Sequence, residues 1–116
     1  MLYVGNAFSL SMLSSLENTV VEFKKISLDE ARELVKEKEF ISFVGHPSTA
    51  EVMSKLLNTE IPANRVPIEL KMGDEVLVMS LNQRLPEGKV LGKEELEELV
   101  KQGKIQWWLV RVPEIQ

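Results

Sequence analysis

An apolar run that ends in a histidine–proline pair and continues as a helix pattern is the feature that most constrains the fold of this chain. Residues 40–44 have the composition of a short strand, and residues 48–57 have the apolar spacing of a helix. Pro47 fixes φ at the start of that helix, where its missing N–H costs nothing. Direct strand-to-helix junctions are typical of α/β proteins, which bind ligands outside the carboxyl ends of their strands. The sequence therefore predicts an α/β fold with His46 at a ligand-binding edge.

The remaining sequence alternates strand and helix patterns. Ser27 and Glu30 form a capping box, which predicts the start of a helix. Gly103 is predicted to end a later helix over residues 93–102. Strands are also predicted at residues 2–4, 19–26, 66–70, 75–81 and 105–112, with a hairpin turn at 72–74 and a short helical segment at 9–16. These elements predict a single α/β domain over residues 1–116, with a mixed β-sheet of about five strands flanked by helices.

Composition excludes several classes of protein. The chain has 116 residues, of which 44% are hydrophobic and 28% charged, so it can bury a core. The absence of cysteine excludes disulfides and thiolate catalysis, and a single histidine argues against zinc. No apolar stretch approaches the roughly 20 residues of a membrane span, and the N-terminus lacks the pattern of a signal peptide. We therefore expect an intracellular protein with no metal, cofactor or membrane partner.

The charge of the chain bears on which anions it can bind. The formal net charge is −4, whereas proteins that track long duplex nucleic acids usually present a basic face. An anionic ligand must then be held by a few placed donors, which favours a compact anion over a polymer.

Four short polar clusters interrupt the apolar pattern. They are Asn6 to Ser11, Gly45 to Thr49, Asn64-Arg65 and Gln83 to Gly88. Exposed amides at a helix start bind phosphate, and an arginine fork suits the same group. Each cluster also has a structural explanation: a helix cap, a loop histidine bonded to a backbone carbonyl, a solvated arginine, or an ordinary surface loop. For each cluster taken alone, both interpretations stay open.

Two adjacent tryptophans lie in the last predicted strand. Trp107 and Trp108 invite an interpretation as base-stacking residues. A β-rich strand near the C-terminus more often places one ring in the core and the other at an interface. We therefore expect one ring in the core and one at a dimer interface.

In their order and spacing, the four clusters resemble the viral ring nucleases, the type III anti-CRISPR proteins of archaeal viruses and some bacteriophages. The resemblance rests on Asn6-Ala-Phe-Ser-Leu-Ser11, Gly45-His46-Pro-Ser48-Thr49, Asn64-Arg65 and Gln83-Arg84-Leu-Pro-Glu87-Gly-Lys, and it covers nearly the whole chain. It implies cleavage of cyclic tetra-adenylate, a second messenger of type III CRISPR complexes, to linear di-adenylate with a 2′,3′-cyclic phosphate. It also implies a metal-independent homodimer in the host cell cytoplasm that binds the ring across its two-fold axis.

The resemblance also implies a role for each candidate site residue. His46 is the expected general acid for the leaving 5′-oxygen, and Arg84 is expected to contact the phosphate as charge develops. Glu87 completes the expected catalytic set. Two further residues, Arg65 and Gln83, are expected to bind substrate. Each of these three side chains could contact an adenine edge or hold the 2′-OH. The ribose-phosphate backbone of the substrate is expected to be held by four polar residues: Asn6, Ser11, Ser48 and Thr49.

Two other functions compete with a ring nuclease. The first is a non-catalytic dimer that binds a cyclic nucleotide or regulates a nucleic acid, which needs the same pocket but no general acid. The second is a structural role in a virion, with Trp107 and Trp108 on the contact surface. The structural role explains none of the four polar clusters.

Overall fold

Five strands, three α-helices and one short 3₁₀ helix make up the part of the chain that the structure, a computed structural model, describes: residues 1–82 and 91–114. The strands are β1 (Leu2–Gly5), β2 (Glu22–Ile26), β3 (Phe40–Ser42), β4 (Glu75–Leu81) and β5 (Ile105–Arg111). The α-helices are α1 (Leu28–Glu37), α2 (Pro47–Leu57) and α3 (Lys93–Lys101), and the 3₁₀ helix spans Leu10–Leu13.

The strands form one mixed sheet in the order β2-β5-β4-β1-β3. β1 is parallel to both β3 and β4, and its Tyr3 is the register partner of Ile41 and Val76. β5 is antiparallel to β4 and to β2. All strands except β5 therefore run in one direction, and their carboxyl ends lie along one border of the sheet, here called the carboxyl edge. This architecture confirms the predicted α/β fold with a mixed five-stranded sheet.

The three α-helices cover one face of the sheet. The predicted capping box of α1 is present: the Ser27 hydroxyl accepts from the Glu30 amide at 3.1 Å, and the Glu30 carboxylate accepts from the Ser27 amide at 3.3 Å. Gly103 follows α3 with φ of 75°, the left-handed conformation that ends a helix. The helices and the sheet enclose a core that includes Leu2, Val4, Ala31, Val35, Met53, Leu56, Leu77, Met79, Leu96 and Trp107.

The 3₁₀ helix and residues 66–70 cover part of the opposite face. The Leu70 amide donates to the Met12 carbonyl at 2.7 Å, so the two segments hold one another over a second apolar cluster. Successive side chains of a strand point to opposite faces. Trp107 is accordingly buried among the helices at 1% exposure, and Trp108 lies half-buried on the opposite face. The prediction of one tryptophan in the core is confirmed.

An ion-pair network closes the border of the sheet opposite the carboxyl edge. The Glu75 carboxylate accepts from Lys38 Nζ at 2.6 Å and from Arg111 Nη2 at 2.9 Å. Burial raises the pKa of Glu75, but hydrogen bonds and charge from Lys38 and Arg111 outweigh burial and hold the pKa below its ordinary value. The carboxylate of Glu75 thereby joins three elements: the start of β4, the end of β5 and the end of α1.

The predicted hairpin is wrong. Residues 66–70 form no strand, because β4 already pairs with β1 on one side and β5 on the other. Pro67 also lacks an amide donor for a ladder. The segment instead lies across the sheet face, where Ile68 and Leu70 pack into the second apolar cluster.

Hydroxyl residues stand at the starts of two further helices, where the sequence favours them as caps, but they do not cap either helix. Neither Ser48 nor Thr49 caps α2, which begins at Pro47 with His46 as its N-cap residue. Ser9 precedes the 3₁₀ helix but makes no side-chain cap bond, and its hydroxyl lies 2.8 Å from the Ser11 hydroxyl instead. The hydroxyls of Ser9, Ser48 and Thr49 therefore do not cap the helices beside them.

Candidate functional site

Three predicted clusters start from neighbouring strands at the carboxyl edge. Asn6 directly follows β1, His46 lies four residues beyond β3, and Asn82 directly follows β4. β4, β1 and β3 are adjacent and parallel. The edge is therefore the place where α/β proteins bind ligands, as the sequence predicted.

Three site residues of the fourth cluster belong to a segment that follows Asn82. Gln83, Arg84 and Glu87 lie outside the described residues. The catalytic roles expected of Arg84 and Glu87, and the binding role of Gln83, stay predictions.

His46 presents its side chain to solvent at the start of α2. It has the extended backbone of an N-cap, with φ of −123° and ψ of 130°, and its carbonyl accepts from the Ala50 amide at 3.0 Å. The imidazole makes no cap bond, and within residues 1–82 and 91–114 it donates to no backbone carbonyl. Among the described residues, a backbone hydrogen bond holds His46 in place, and its imidazole is exposed to solvent.

A buried serine clamps the neighbouring loop to the end of β3. Ser42 is 3% exposed, and its hydroxyl donates to the Pro62 carbonyl at 2.7 Å while accepting from the Val44 amide at 3.3 Å. Asn64 adds two bonds of 2.8 Å, from its side-chain amide to the Ser42 carbonyl and from its backbone amide to the Val44 carbonyl. The loop over residues 62–64 is therefore fixed beside the segment that leads to His46.

Arg65 is the next residue of that fixed loop. A Cβ placed on Gly45 would lie 3.6 Å from Cγ and 3.8 Å from Nε of Arg65, so the arginine side chain runs along the Gly45 backbone. Arg65 is exposed, and it forms no ion pair with a carboxylate in the part of the chain that the structure describes. The structure thus brings a guanidinium next to the residue that precedes His46.

Two further predicted residues lie in the first turn of α2. Ser48 is exposed and Thr49 is half-buried, and both lie within the first turn after the His46 cap. The first amides of a helix have no intrahelical partner, and the helix dipole adds partial positive charge there. Hydroxyls, free amides and the Arg65 guanidinium together suit a phosphate group.

A cleft of about 310 Å³ opens beside this edge. Phe43 forms one wall, and its ring covers the end of β1 so closely that a Cβ on Gly5 would lie within 3.0 Å of three ring atoms. Ser9 and Ser11 line the cleft together with Val66, the neighbour of Arg65. The predicted residue Ser11 therefore lines this cleft, whereas Asn6 is exposed and is not one of its lining residues.

Sequence reasoning missed Ser42, Phe43 and the cleft. One signal was available, because Ser42 is a polar residue within an apolar strand and a buried hydroxyl needs partners. For Phe43 no local signal exists, since its contact with Gly5 depends on the parallel pairing of two distant strands.

The described residues hold no cluster of three or more His, Asp or Glu side chains arranged for a metal ion. None of the described helices has the length and apolar character needed to cross a membrane.

The fold and the site define a small α/β protein with an exposed histidine, and an exposed arginine beside the preceding glycine, at the carboxyl edge of a five-stranded mixed sheet. The family model described as STIV B116-like matches residues 2–107, and the chain belongs to this family. Its relatives come largely from archaeal viruses. The chain is 41% identical over 100 residues to protein 26 of Sulfolobus islandicus filamentous virus, covering 85% of this chain and 84% of that protein.

Two other similarities extend the comparison. The chain is 34% identical over 110 residues to protein ORF116 of Acidianus filamentous virus 1, covering 95% of this chain and 94% of that protein. Among solved structures, it is similar to B116 of Sulfolobus turreted icosahedral virus, with a TM-score of 0.84, 32% identity, and coverage of 95% of this chain and 97% of that chain. From its length and its four clusters, the sequence was expected to be the 116-residue protein of a turreted icosahedral archaeal virus itself. At 32% identity, the chain is a relative of that protein.

Proposed function

We propose that this protein is a metal-independent ring nuclease that cleaves cyclic tetra-adenylate to linear di-adenylate with a 2′,3′-cyclic phosphate. Destruction of this messenger would silence the nucleases that it activates, so the protein would act in the host cytoplasm against type III CRISPR defence. The observation that carries the proposal is the position of the Arg65 side chain against Gly45, the residue that directly precedes His46 at the carboxyl edge.

The reaction needs no external nucleophile, because ribose carries a 2′-OH beside the scissile phosphate. The 2′-oxygen forms a bond to phosphorus as the bond from phosphorus to the 5′-oxygen breaks, and the 2′-OH proton passes to solvent water. The departing 5′-oxygen takes a proton from protonated His46 and leaves as a 5′-hydroxyl. Alignment of the attacking and leaving oxygens supplies up to about 7–11 kcal/mol in the best intramolecular models, and general-acid catalysis adds about 10²–10⁴-fold.

Several polar groups at the edge support this chemistry. Arg65 offers a guanidinium for phosphate charge, and Ser48 and the first amides of α2 add donors in the turn that follows His46. Asn6 and Ser11, on the segment that follows β1, are proposed ribose-phosphate contacts.

The proposal includes a homodimer, because a ring of four identical nucleotides matches a two-fold axis and one site per subunit then gives two cuts. An apolar groove of about 370 Å³ supports a self-contact on the sheet face opposite the α-helices. Phe23, 56% exposed, and Trp108 line it, and Phe8 packs edge-on against Phe23 with ring centroids 5.4 Å apart. A second copy covering this groove would bury aromatic surface that the single chain leaves in water.

The deciding experiment is incubation of the purified protein with labelled cyclic tetra-adenylate in EDTA, with linear tetra-adenylate as the control substrate. We expect the ring to become di-adenylate with a cyclic phosphate. An intact ring that stays bound to the protein would indicate the non-catalytic binding dimer instead. An intact ring without binding would overturn both functions.

A further inference from the structure

The cleft beside the carboxyl edge has the construction of a small-molecule pocket. Its volume of about 310 Å³ lies at the lower end of the range of about 300–1,000 Å³ for such pockets. Phe43, Pro67 and Ile68 provide apolar walls, and polar atoms come from Ser11 and Glu69. Apolar walls with few polar groups suit a flat heterocycle that stacks and is then recognised along one edge.

The polar side chains of the cleft have capacity left for a ligand. Glu69 accepts a hydrogen bond from the Ser14 hydroxyl at Oε1, 3.2 Å away, which steadies the carboxylate and leaves lone pairs on Oε2. The hydroxyls of Ser9 and Ser11 lie 2.8 Å apart, and only one of their two protons is used between them. The cleft therefore offers a carboxylate acceptor and one hydroxyl donor.

The position of the cleft connects it to the phosphate-binding groups. Val66 lines the cleft directly after Arg65 in the chain, and Phe43 lies three residues before His46. A nucleotide whose phosphate contacts Arg65 can therefore extend its base towards the cleft.

We infer that this cleft is an adenine pocket, in which Glu69 accepts a hydrogen bond from the exocyclic N6 amino group. This inference rests on the proposed function and adds the residue that selects the base. The major-groove edge of adenine presents the N6 amino donor beside the N7 acceptor. The free proton of the Ser9–Ser11 pair is donated to N7. Hypoxanthine carries an O6 acceptor in place of the amino group, and the Glu69 carboxylate would repel it.

The test compares the affinity of cyclic tetra-adenylate with that of cyclic tetra-inosinate. Both rings are titrated into a His46→Ala background, so that turnover does not consume the ligand, with and without Glu69→Gln. We expect the adenine ring to bind at least about tenfold tighter than the inosine ring. Glu69→Gln should reduce that ratio at least about tenfold, because the glutamine amide donates to O6. Glu17→Gln, at an exposed carboxylate outside the cleft, is the matched control and should leave the ratio unchanged.

Three outcomes overturn the inference. If Glu69→Gln leaves the ratio unchanged in the His46→Ala background, while the wild-type protein binds and cleaves cyclic tetra-adenylate, the adenine pocket is removed and the proposed function stays intact. An equal change in Glu17→Gln shows a general charge effect instead of base recognition. Failure of the wild-type protein to bind or cleave the ring overturns the proposed function and the pocket together.

Discussion

The side-chain amide of Asn64 donates to the backbone carbonyl of Ser42 across 2.8 Å, and this bond joins the loop that carries Arg65 to the strand that leads to His46. The Ser42 hydroxyl completes the junction by donating to the Pro62 carbonyl. The side chains of His46 and Arg65 are both exposed, so these partly buried hydrogen bonds fix how the two backbone segments lie relative to one another. In the proposed function, a rigid support of this kind would lower the ordering cost of bringing two flexible side chains to one phosphate.

Replacement of the buried serine tests this support. Ser42→Ala should lower the free energy of unfolding by about 1–3 kcal/mol, because the Pro62 carbonyl and the Val44 amide lose their partner. It should also weaken binding of cyclic tetra-adenylate, since the Arg65 loop is released. Urea denaturation and ligand titration measure the two effects. Ser15→Ala, which removes a 3.2 Å bond from an exposed hydroxyl to the Leu70 carbonyl, is the control and should affect affinity little.

Removal of the imidazole separates binding from cleavage. His46→Ala should bind cyclic tetra-adenylate nearly as wild type does, and its single-turnover cleavage should fall about 10²–10⁴-fold, because the leaving 5′-oxygen loses its proton donor. Quench-flow with labelled ring measures the rate, and equilibrium titration measures the affinity. Full single-turnover activity in His46→Ala would move the general acid to another group.

Two glycines at the carboxyl edge should respond differently to alanine. Gly5→Ala should lower the free energy of unfolding by about 1–3 kcal/mol, because the new methyl group meets the Phe43 ring at less than 3.0 Å. Gly45→Ala should be nearly neutral, since its Cβ would make ordinary contact with Arg65 at 3.6 Å. Thermal and urea denaturation of both variants measure the difference. A smaller side chain in Gly5→Ala/Phe43→Leu should recover part of the loss, and equal effects of the two single substitutions would contradict the described packing.

The ion pairs of Glu75 predict how stability depends on pH. The pKa of Glu75 is lowered in the folded protein, so its contribution to stability is present above the ordinary glutamate value of about 4.3 and is lost as the pH falls through the lower folded value. Glu75→Gln should therefore destabilise the protein at neutral pH and have a smaller effect near pH 3. Urea denaturation across this range gives the profile. Glu33→Gln, at an exposed position on α1, should leave the profile unchanged.

A charge placed in the apolar groove tests the proposed dimer. Phe23→Lys should convert a dimer to a monomer, because a lysine would be buried against the aromatic groove of a second copy. Sedimentation velocity measures the mass of the particle, and ring cleavage should decrease with it. Met72→Lys adds the same charge at another exposed hydrophobic residue, 52% exposed and outside the groove, and should leave the mass unchanged. A wild-type protein that sediments as a monomer at every concentration contradicts the dimer.

Local sequence patterns specified most of the helices and strands of this fold. The Ser27–Glu30 box and the left-handed Gly103 are short-range signals, since a cap bonds amides within its own turn. The apolar run at residues 40–44 predicted β3 for a similar reason, because a buried strand must be apolar whichever strands lie beside it. The hairpin prediction was wrong because long-range contacts across the whole sheet, and not the turn at Gly73, determine which strands pair with β4.

By itself, the sequence determined the class of fold, the single histidine and its position after a strand, because these depend on residue identity and short-range periodicity. Only the tertiary structure decided that Asn64 and Arg65 lie beside Gly45, that Phe43 covers Gly5, and that Ser11 and Glu69 share one cleft. Those contacts join residues that lie far apart along the chain. They arise from the parallel pairing of β1 with β3 and from a loop fixed by buried hydrogen bonds, neither of which a local pattern encodes.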